Sequence, residues 1–134
     1  MEILSRSPDE TKELGQALSK ELSGGEIIEL IGDLGSGKTT FVQGLAAGLG
    51  ITKRVLSPTF ILRRSYVGRL NLEHFDFYRL NRPEDLAGLD LDDVLEAPKT
   101  VVVMEWPERV GLDQSSARKI KFEYIDDKTR KITL

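Results

Sequence analysis

Gly32-Asp33-Leu34-Gly35-Ser36-Gly37-Lys38-Thr39 satisfies G-x-x-x-x-G-K-[ST], the Walker A pattern, at every fixed position. The spacing has a chemical reason. Glycines such as Gly35 and Gly37 let successive main-chain N–H groups, including that of Ser36, turn inward as an anion nest. A helix that starts on this loop adds its unpaired first-turn amides and the positive end of its dipole. Lys38 brings a point charge for the β- and γ-phosphates. The Thr39 hydroxyl is placed to ligate magnesium, and Thr40 to bond the α-phosphate. Together these residues imply a bound nucleoside triphosphate with Mg2+.

Magnesium on a triphosphate usually takes a further carboxylate from the end of a neighbouring buried strand. Val101-Val102-Val103-Met104-Glu105 offers one: an apolar run ending in an acid. Glu105 is suited to ligate the ion directly or through water, the plain alternative being a strand-end carboxylate in solvent. Trp106 follows at once, as a core residue or as a platform beside the site.

The elements that must position these groups read as follows. Ile3 and Leu4 open a short edge strand. Ser7, Pro8 and Glu10 form a helix start with a capping box, and Leu14, Ala17, Leu18 and Leu22 repeat at helical spacing up to Gly24 and Gly25. Residues 26–31 are a short β-branched run, predicted as a buried strand feeding the glycine loop. Residues 39–49 predict a helix with Phe41, Leu45 and Leu49 on one stripe, in which Gly44 and Gly48 mark close backbone packing. Residues 60–66 and 70–78 predict a hairpin around Val67 and Gly68. On the second of these strands His74, Asp76 and Tyr78 share one face and Phe75 and Phe77 the other. Short helices are expected within residues 80–95, a second buried strand at 100–105, and two final strands at 118–125 and 129–134. The class is α/β: a phosphate-loop NTPase three-layer fold with a mixed, largely parallel central sheet plus antiparallel hairpins, in a single domain over residues 1–134.

Composition narrows the function. A formal charge of −3 disfavours a general nucleic-acid binder, DNA included. The absence of cysteine removes disulfides, thiolate metal sites and cysteine nucleophiles. No stretch has the run of about 20 apolar residues that a membrane span needs, and no signal peptide is apparent, so a cytoplasmic location with no membrane partner is expected. Arg63, Arg64 and Arg69, near Lys53 and Arg54, read as a solvated basic face.

Four stretches, in order, resemble the bacterial TsaE (YjeE) family, the ATPase component of tRNA threonylcarbamoyladenosine biosynthesis. They are the glycine loop through Thr40, Ser57-Pro58-Thr59-Phe60, His74-Phe75-Asp76-Phe77-Tyr78-Arg79, and Glu105-Trp106-Pro107-Glu108-Arg109. The first is common to all phosphate-loop NTPases; the other three are more specific. The resemblance implies a weak intrinsic ATPase that acts on a complex of two partner proteins, TsaB and TsaD, and meets tRNA indirectly through it. Hydrolysis would reset that complex between rounds. By the same resemblance Lys38, Thr39 and Thr40 hold phosphates, and Thr39 and Glu105 hold magnesium. Residues 57–60 form a switch segment in which the Thr59 hydroxyl senses the γ-phosphate, and Asp76 orients or activates the attacking water. Trp106 lies beside the nucleotide or the partner face, and Thr11 lies near the adenine.

A small-molecule kinase of the same class would share the loop, with Arg79 and Arg82 imitating a lid. A GTP-dependent switch would usually carry Asn-Lys-x-Asp, which is not present. A nucleotide-binding scaffold without hydrolysis is the third alternative.

Overall fold

The computed structural model describes residues 1–112 and 115–134. Seven strands form one sheet in the order β1-β7-β6-β2-β5-β4-β3. These are β1 (Glu2–Ser5), β2 (Ile27–Ile31), β3 (Arg63–Tyr66), β4 (Asn71–Asp76), β5 (Thr100–Glu105), β6 (Arg118–Tyr124) and β7 (Arg130–Thr133). The centre is parallel, with β2 pairing β5 and β6, and β5 pairing β4. Antiparallel pairs close both sides: β3 with β4, and β6 and β1 with β7.

Strand alternation on the buried β5 sorts two cores. Val101 and Val103 join Ile28, Leu30, Phe41, Leu45 and Ile120 on one face of the sheet. Val102 and Met104 join Phe75, Phe77, Leu91 and Val94 on the other. The first face is covered by α1 (Pro8–Ser19) and α2 (Lys38–Gly48), the second by α3 (Leu91–Glu96) and two 3-10 turns, Pro83–Leu86 and Pro107–Val110. The expected layering follows.

The start of α1 matches its sequence signal with one change. Ser7 caps the Glu10 amide through its hydroxyl, but the Glu10 carboxylate reaches past the cap residue to the Arg6 amide. The helix ends at Ser19, before the expected glycine stop. Lys20, Glu21 and Leu22 donate to the carbonyls three residues back, a tightened final turn that still buries Leu22. The α2 stripe Phe41, Leu45 and Leu49 is fully buried, with Phe41 edge to face on Phe122 of β6. A Cβ on Gly44 would lie 2.0 Å from the Lys12 carbonyl oxygen, and one on Gly48 1.9 Å from Ser19 Oγ. The α1–α2 contact is therefore backbone against backbone, and α2 is held in a fixed place beneath the loop that begins it.

Two strand expectations change. Residues 60–62 are a turn, with Ile61 and Leu62 both donating to the Pro58 carbonyl, and β3 begins only at Arg63. In β6, Ile120 and Phe122 are buried as expected, but Tyr124 is exposed at the strand end. Among the described residues no helix is long and apolar enough to cross a membrane.

Candidate functional site

The parallel strands β2, β4 and β5 all end at the same edge of the sheet, the edge at which open α/β sheets bind ligands. β2 runs into the glycine loop and that loop into α2. The two helices treat their first turns differently. Ser7 satisfies an N-terminal amide of α1, whereas Gly37, at the same position of α2, has no side chain with which to do so. Gly37 is in the left-handed region at φ 104°, as is Gly35 at φ 79°. The amides at the mouth of α2 are left for an anion.

A cleft of about 410 Å³ opens over this mouth. Gly35, Gly37, Lys38, Thr39 and Thr40 form one wall, and Thr59, Asp76, Glu105 and Trp106 face them. Most of the sequence-predicted site residues are therefore brought together from four separate stretches. Two are not. Ser36 is buried behind the loop, its amide donating to the Asp33 carbonyl at 3.1 Å and its hydroxyl without a partner. Thr11 is buried within α1, its hydroxyl 2.6 Å from Ser5 Oγ, and does not line the cleft.

Charge in the cleft is organised around Glu105. Lys38 Nζ lies 3.0 Å from one carboxylate oxygen, and His74 Nε2 lies 2.7 Å from the other. Lys38 Nζ also donates to the Gly32 carbonyl, which ties the lysine back to the start of its own loop. Burial pushes the Glu105 carboxyl up, but the contacts with His74 and Lys38 outweigh it and hold the group below the usual carboxylate range. His74 is fully buried, with Nδ1 unpartnered. It does not line the cleft; it reaches the site through Glu105, as part of the alternation that also sends Phe75 and Phe77 into the opposite core.

Asp76, at the end of β4, registers beside Glu105. One of its oxygens accepts from the Thr59 hydroxyl and the other from the Tyr78 amide, both at 2.9 Å. Thr59 is also 2.8 Å from Ser57 Oγ, so residues 57–59 are coupled to the strand-end carboxylate through hydroxyls. Tyr78 lies just past β4, yet it shares the cleft with Asp76.

The rim is aromatic. Tyr78 and Trp106 meet edge to face at 5.2 Å, Arg109 covers Tyr78 at 4.6 Å, and Lys38 Nζ lies 5.5 Å from the Trp106 ring centre. Trp106 holds φ 60° and Leu62 φ 71°, left-handed conformations that bulky side chains rarely adopt and that cost about 1–3 kcal/mol each. Both flank cleft-lining segments, where strain of this kind concentrates. Of the basic residues expected on a solvated face, Lys53, Arg54 and Arg69 are exposed, and Arg63 alone of the three hairpin arginines makes an ion pair among the described residues. Arg63 pairs with Glu73 at 2.9 Å, Arg64 donates to the Ser57 carbonyl, and Arg69 donates to the Ser19 carbonyl.

Oxygen donors from Thr39, Thr59, Asp76 and Glu105 line the cleft, a set suited to a hard cation. Among the described residues no group of three or more His, Cys, Asp or Glu side chains is arranged to hold a metal by itself. The donors fit an ion that arrives with, and is mainly ligated by, phosphate oxygens.

Sequence reasoning missed Arg130. It lines the cleft from β7, and its Nη2 donates to the Gly35 carbonyl at 3.1 Å. No motif marks it; only the β6–β7 pairing brings a residue so far along the chain to the glycine loop.

The family described as "Threonylcarbamoyl adenosine biosynthesis protein TsaE" matches residues 5–132. A protein from a Nostoc species named "tRNA threonylcarbamoyladenosine biosynthesis protein TsaE" is 39% identical over 132 residues, which are 96% of this chain and 81% of that one. A Treponema pallidum protein of the same name is 38% identical over 135 residues, 100% of this chain and 99% of that one. The crystal structure of Bacillus subtilis YdiB superposes with a TM-score of 0.76 at 31% identity, covering 98% of this chain and 82% of that one.

Proposed function

Because the chain belongs to the TsaE family of threonylcarbamoyl adenosine biosynthesis proteins, we propose that it is a single-domain, cytoplasmic, magnesium-dependent ATPase, slow by itself, that supports tRNA threonylcarbamoyladenosine modification by acting on a TsaB–TsaD complex. One observation supports this above the others: the glycine loop, Lys38, Thr39 and two strand-end carboxylates, Asp76 and Glu105, converge on one cleft.

In this reading the α2 mouth and Lys38 grip the polyphosphate, and Thr40 takes the α-phosphate side. Thr39 and Glu105 are the residues that would hold a magnesium ion, which when bound neutralises charge on the terminal phosphate oxygens. His74 fixes the Glu105 carboxylate in place. Asp76 accepts the proton of the attacking water, or orients that water for in-line displacement. A carboxylate is a poor general base for water, so turnover is slow until partner binding improves the alignment.

Thr59 reports the state of the site. Its hydroxyl donates to Asp76, and a γ-phosphate would compete for it. The segment around Thr59 would then rearrange with the nucleotide, giving a TsaB–TsaD complex a surface that differs before and after hydrolysis. Leu34 and Phe60, both strongly exposed beside the cleft, belong to that surface. Trp106 is the aromatic wall of the nucleotide site.

The test is release of free phosphate from ATP, measured with the chain alone and with TsaB, TsaD and tRNA. Slow turnover that rises strongly in the complete mixture supports the proposal; no rise, with all components active, refutes it. Asp76→Asn should abolish the stimulated rate while leaving ATP binding within a few-fold.

A further inference from the structure

Arg130 has no role in the mechanism just given, although it touches the glycine loop. Its guanidinium is fixed on several sides. Nη2 donates to the Gly35 carbonyl at 3.1 Å, Nη1 donates to the Thr129 carbonyl at 3.0 Å and to the Asp126 carbonyl at 2.5 Å, and Cζ lies 4.6 Å from the Tyr124 ring centre. Its Nε is buried without a partner. Its Cγ lies 3.5 Å from where a Cβ on Gly37 would stand, so the side chain is packed against another glycine of the loop as well.

The peptide unit between Gly35 and Ser36 is consequently held at both ends. Its carbonyl is taken by Arg130, and its N–H donates to the Asp33 carbonyl. Glycine at this point would otherwise let the unit flip at low cost and turn a carbonyl oxygen toward the anion. Charge gives a second argument. The ammonium of Lys38 is matched by Glu105 at 3.0 Å, whereas all of the hydrogen bonds of Arg130 go to carbonyls. Arg130 thus lines the cleft as a cation that makes no ion pair there among the described residues, its nearest acidic neighbour being Asp126, whose carboxyl it helps the Lys128 and Thr129 amides to hold below the usual range on the exposed turn before β7.

We propose that Arg130 is a positioning residue for the polyphosphate: it holds the Gly35 carbonyl so that its oxygen does not turn toward the anion, and it supplies positive charge to the cleft. This rests on the nucleotide reading of the site and adds to it a residue outside the glycine loop. Lysine would keep the charge but lose the planar fork that reaches three carbonyls at once.

Calorimetric titration with metal-free tripolyphosphate and with magnesium–ATP tests it on the wild-type chain, Arg130→Met and Arg130→Lys. Arg130→Met should weaken both ligands by a similar factor, roughly 10- to 100-fold, as loss of hydrogen bonds to a charged group implies. Arg130→Lys should recover part of that loss. In the nucleotide-free state the amide resonances of Gly35 and Ser36 should move in both variants while those of α3 stay fixed. If the methionine variant does not fold, the lysine variant carries the test, with weaker binding of both ligands and the same resonance shifts required. Affinities within twofold of wild type in a folded variant overturn the inference and leave the nucleotide site standing. Weaker ATP binding with unchanged tripolyphosphate binding also overturns it, since Arg130 would then act on the nucleoside. A wild-type chain that binds neither ligand overturns the nucleotide reading itself, and this inference with it.

Discussion

Replacing Gly44 with alanine sets two effects against each other. On an isolated helix the change stabilises by about 1 kcal/mol, because glycine is the poorer helix former. Here the added Cβ would stand 2.0 Å from the Lys12 carbonyl oxygen and 2.7 Å from the Lys12 carbonyl carbon. An ordinary C···O approach is about 3.3 Å or more, so the helices must separate by more than an ångström. Lys12 cannot turn a main-chain carbonyl aside as it would a side chain. Overpacking of this kind costs about 1–3 kcal/mol, and a collision with backbone belongs at the upper end. The net loss is then about 2 kcal/mol after the helical gain, or about 6–10 °C in Tm for a chain of this length. Urea unfolding followed by circular dichroism measures it directly. The displacement also carries Lys38 and Thr39, in the first turn of the same helix, away from Glu105, so affinity for magnesium–ATP should fall together with stability. A Gly44→Ala chain as stable as wild type would refute the reasoning, because it would mean that α1 and α2 are not in the backbone contact described.

Three further outcomes follow from the site and its supports. Glu105, held below its ordinary pKa, should contribute stability that is complete above about pH 4.3 and lost as pH falls through its lower folded value. Glu105→Gln should flatten the acid limb of a stability–pH curve, and an unchanged slope would count against the pairing with His74 and Lys38. Trp106 is the sole tryptophan and lines the cleft; its emission should change saturably as magnesium–ATP is added, and the change should vanish in Lys38→Ala. A constant emission under conditions where calorimetry shows saturation would remove Trp106 from the nucleotide wall. Ser7→Ala should cost about 1 kcal/mol by freeing the Glu10 amide, and no loss in urea midpoint would show that the cap is replaced by water.

The sequence made the glycine loop, the buried strands and the α2 stripe legible because each is local: a fixed spacing, an apolar run, a helical repeat. Gly44 and Gly48 were also readable, since a glycine kept inside a helix against its propensity implies that something packs close. The strand at residues 60–62 was misread for an equally physical reason. Phe60, Ile61 and Leu62 look like a β run, but Pro58 accepts from both Ile61 and Leu62 and closes a turn, and Arg79 covers Phe60 from outside at 4.6 Å. His74 was recognised as part of a polar face, yet its bond to Glu105 depends on which strand lies beside β4, and no spacing encodes that. Arg130 is the extreme case, since its place at the loop follows from pairing between strands alone.

The segments that make the cleft are spread from Asp33 to Arg130, with the rest of the sheet between them. The glycine loop and the first turn of α2 hold the phosphate side of the cleft, but Asp76, Glu105 and Arg130 reach it from far along the chain. A folding chain must therefore close several long loops, at the entropic cost each demands, before any ligand can be gripped. Partly assembled forms present the glycine loop without its opposing carboxylates. Nucleotide consequently selects the finished molecule over every earlier one, and at saturating concentration it should raise the unfolding temperature through mass action on that state alone.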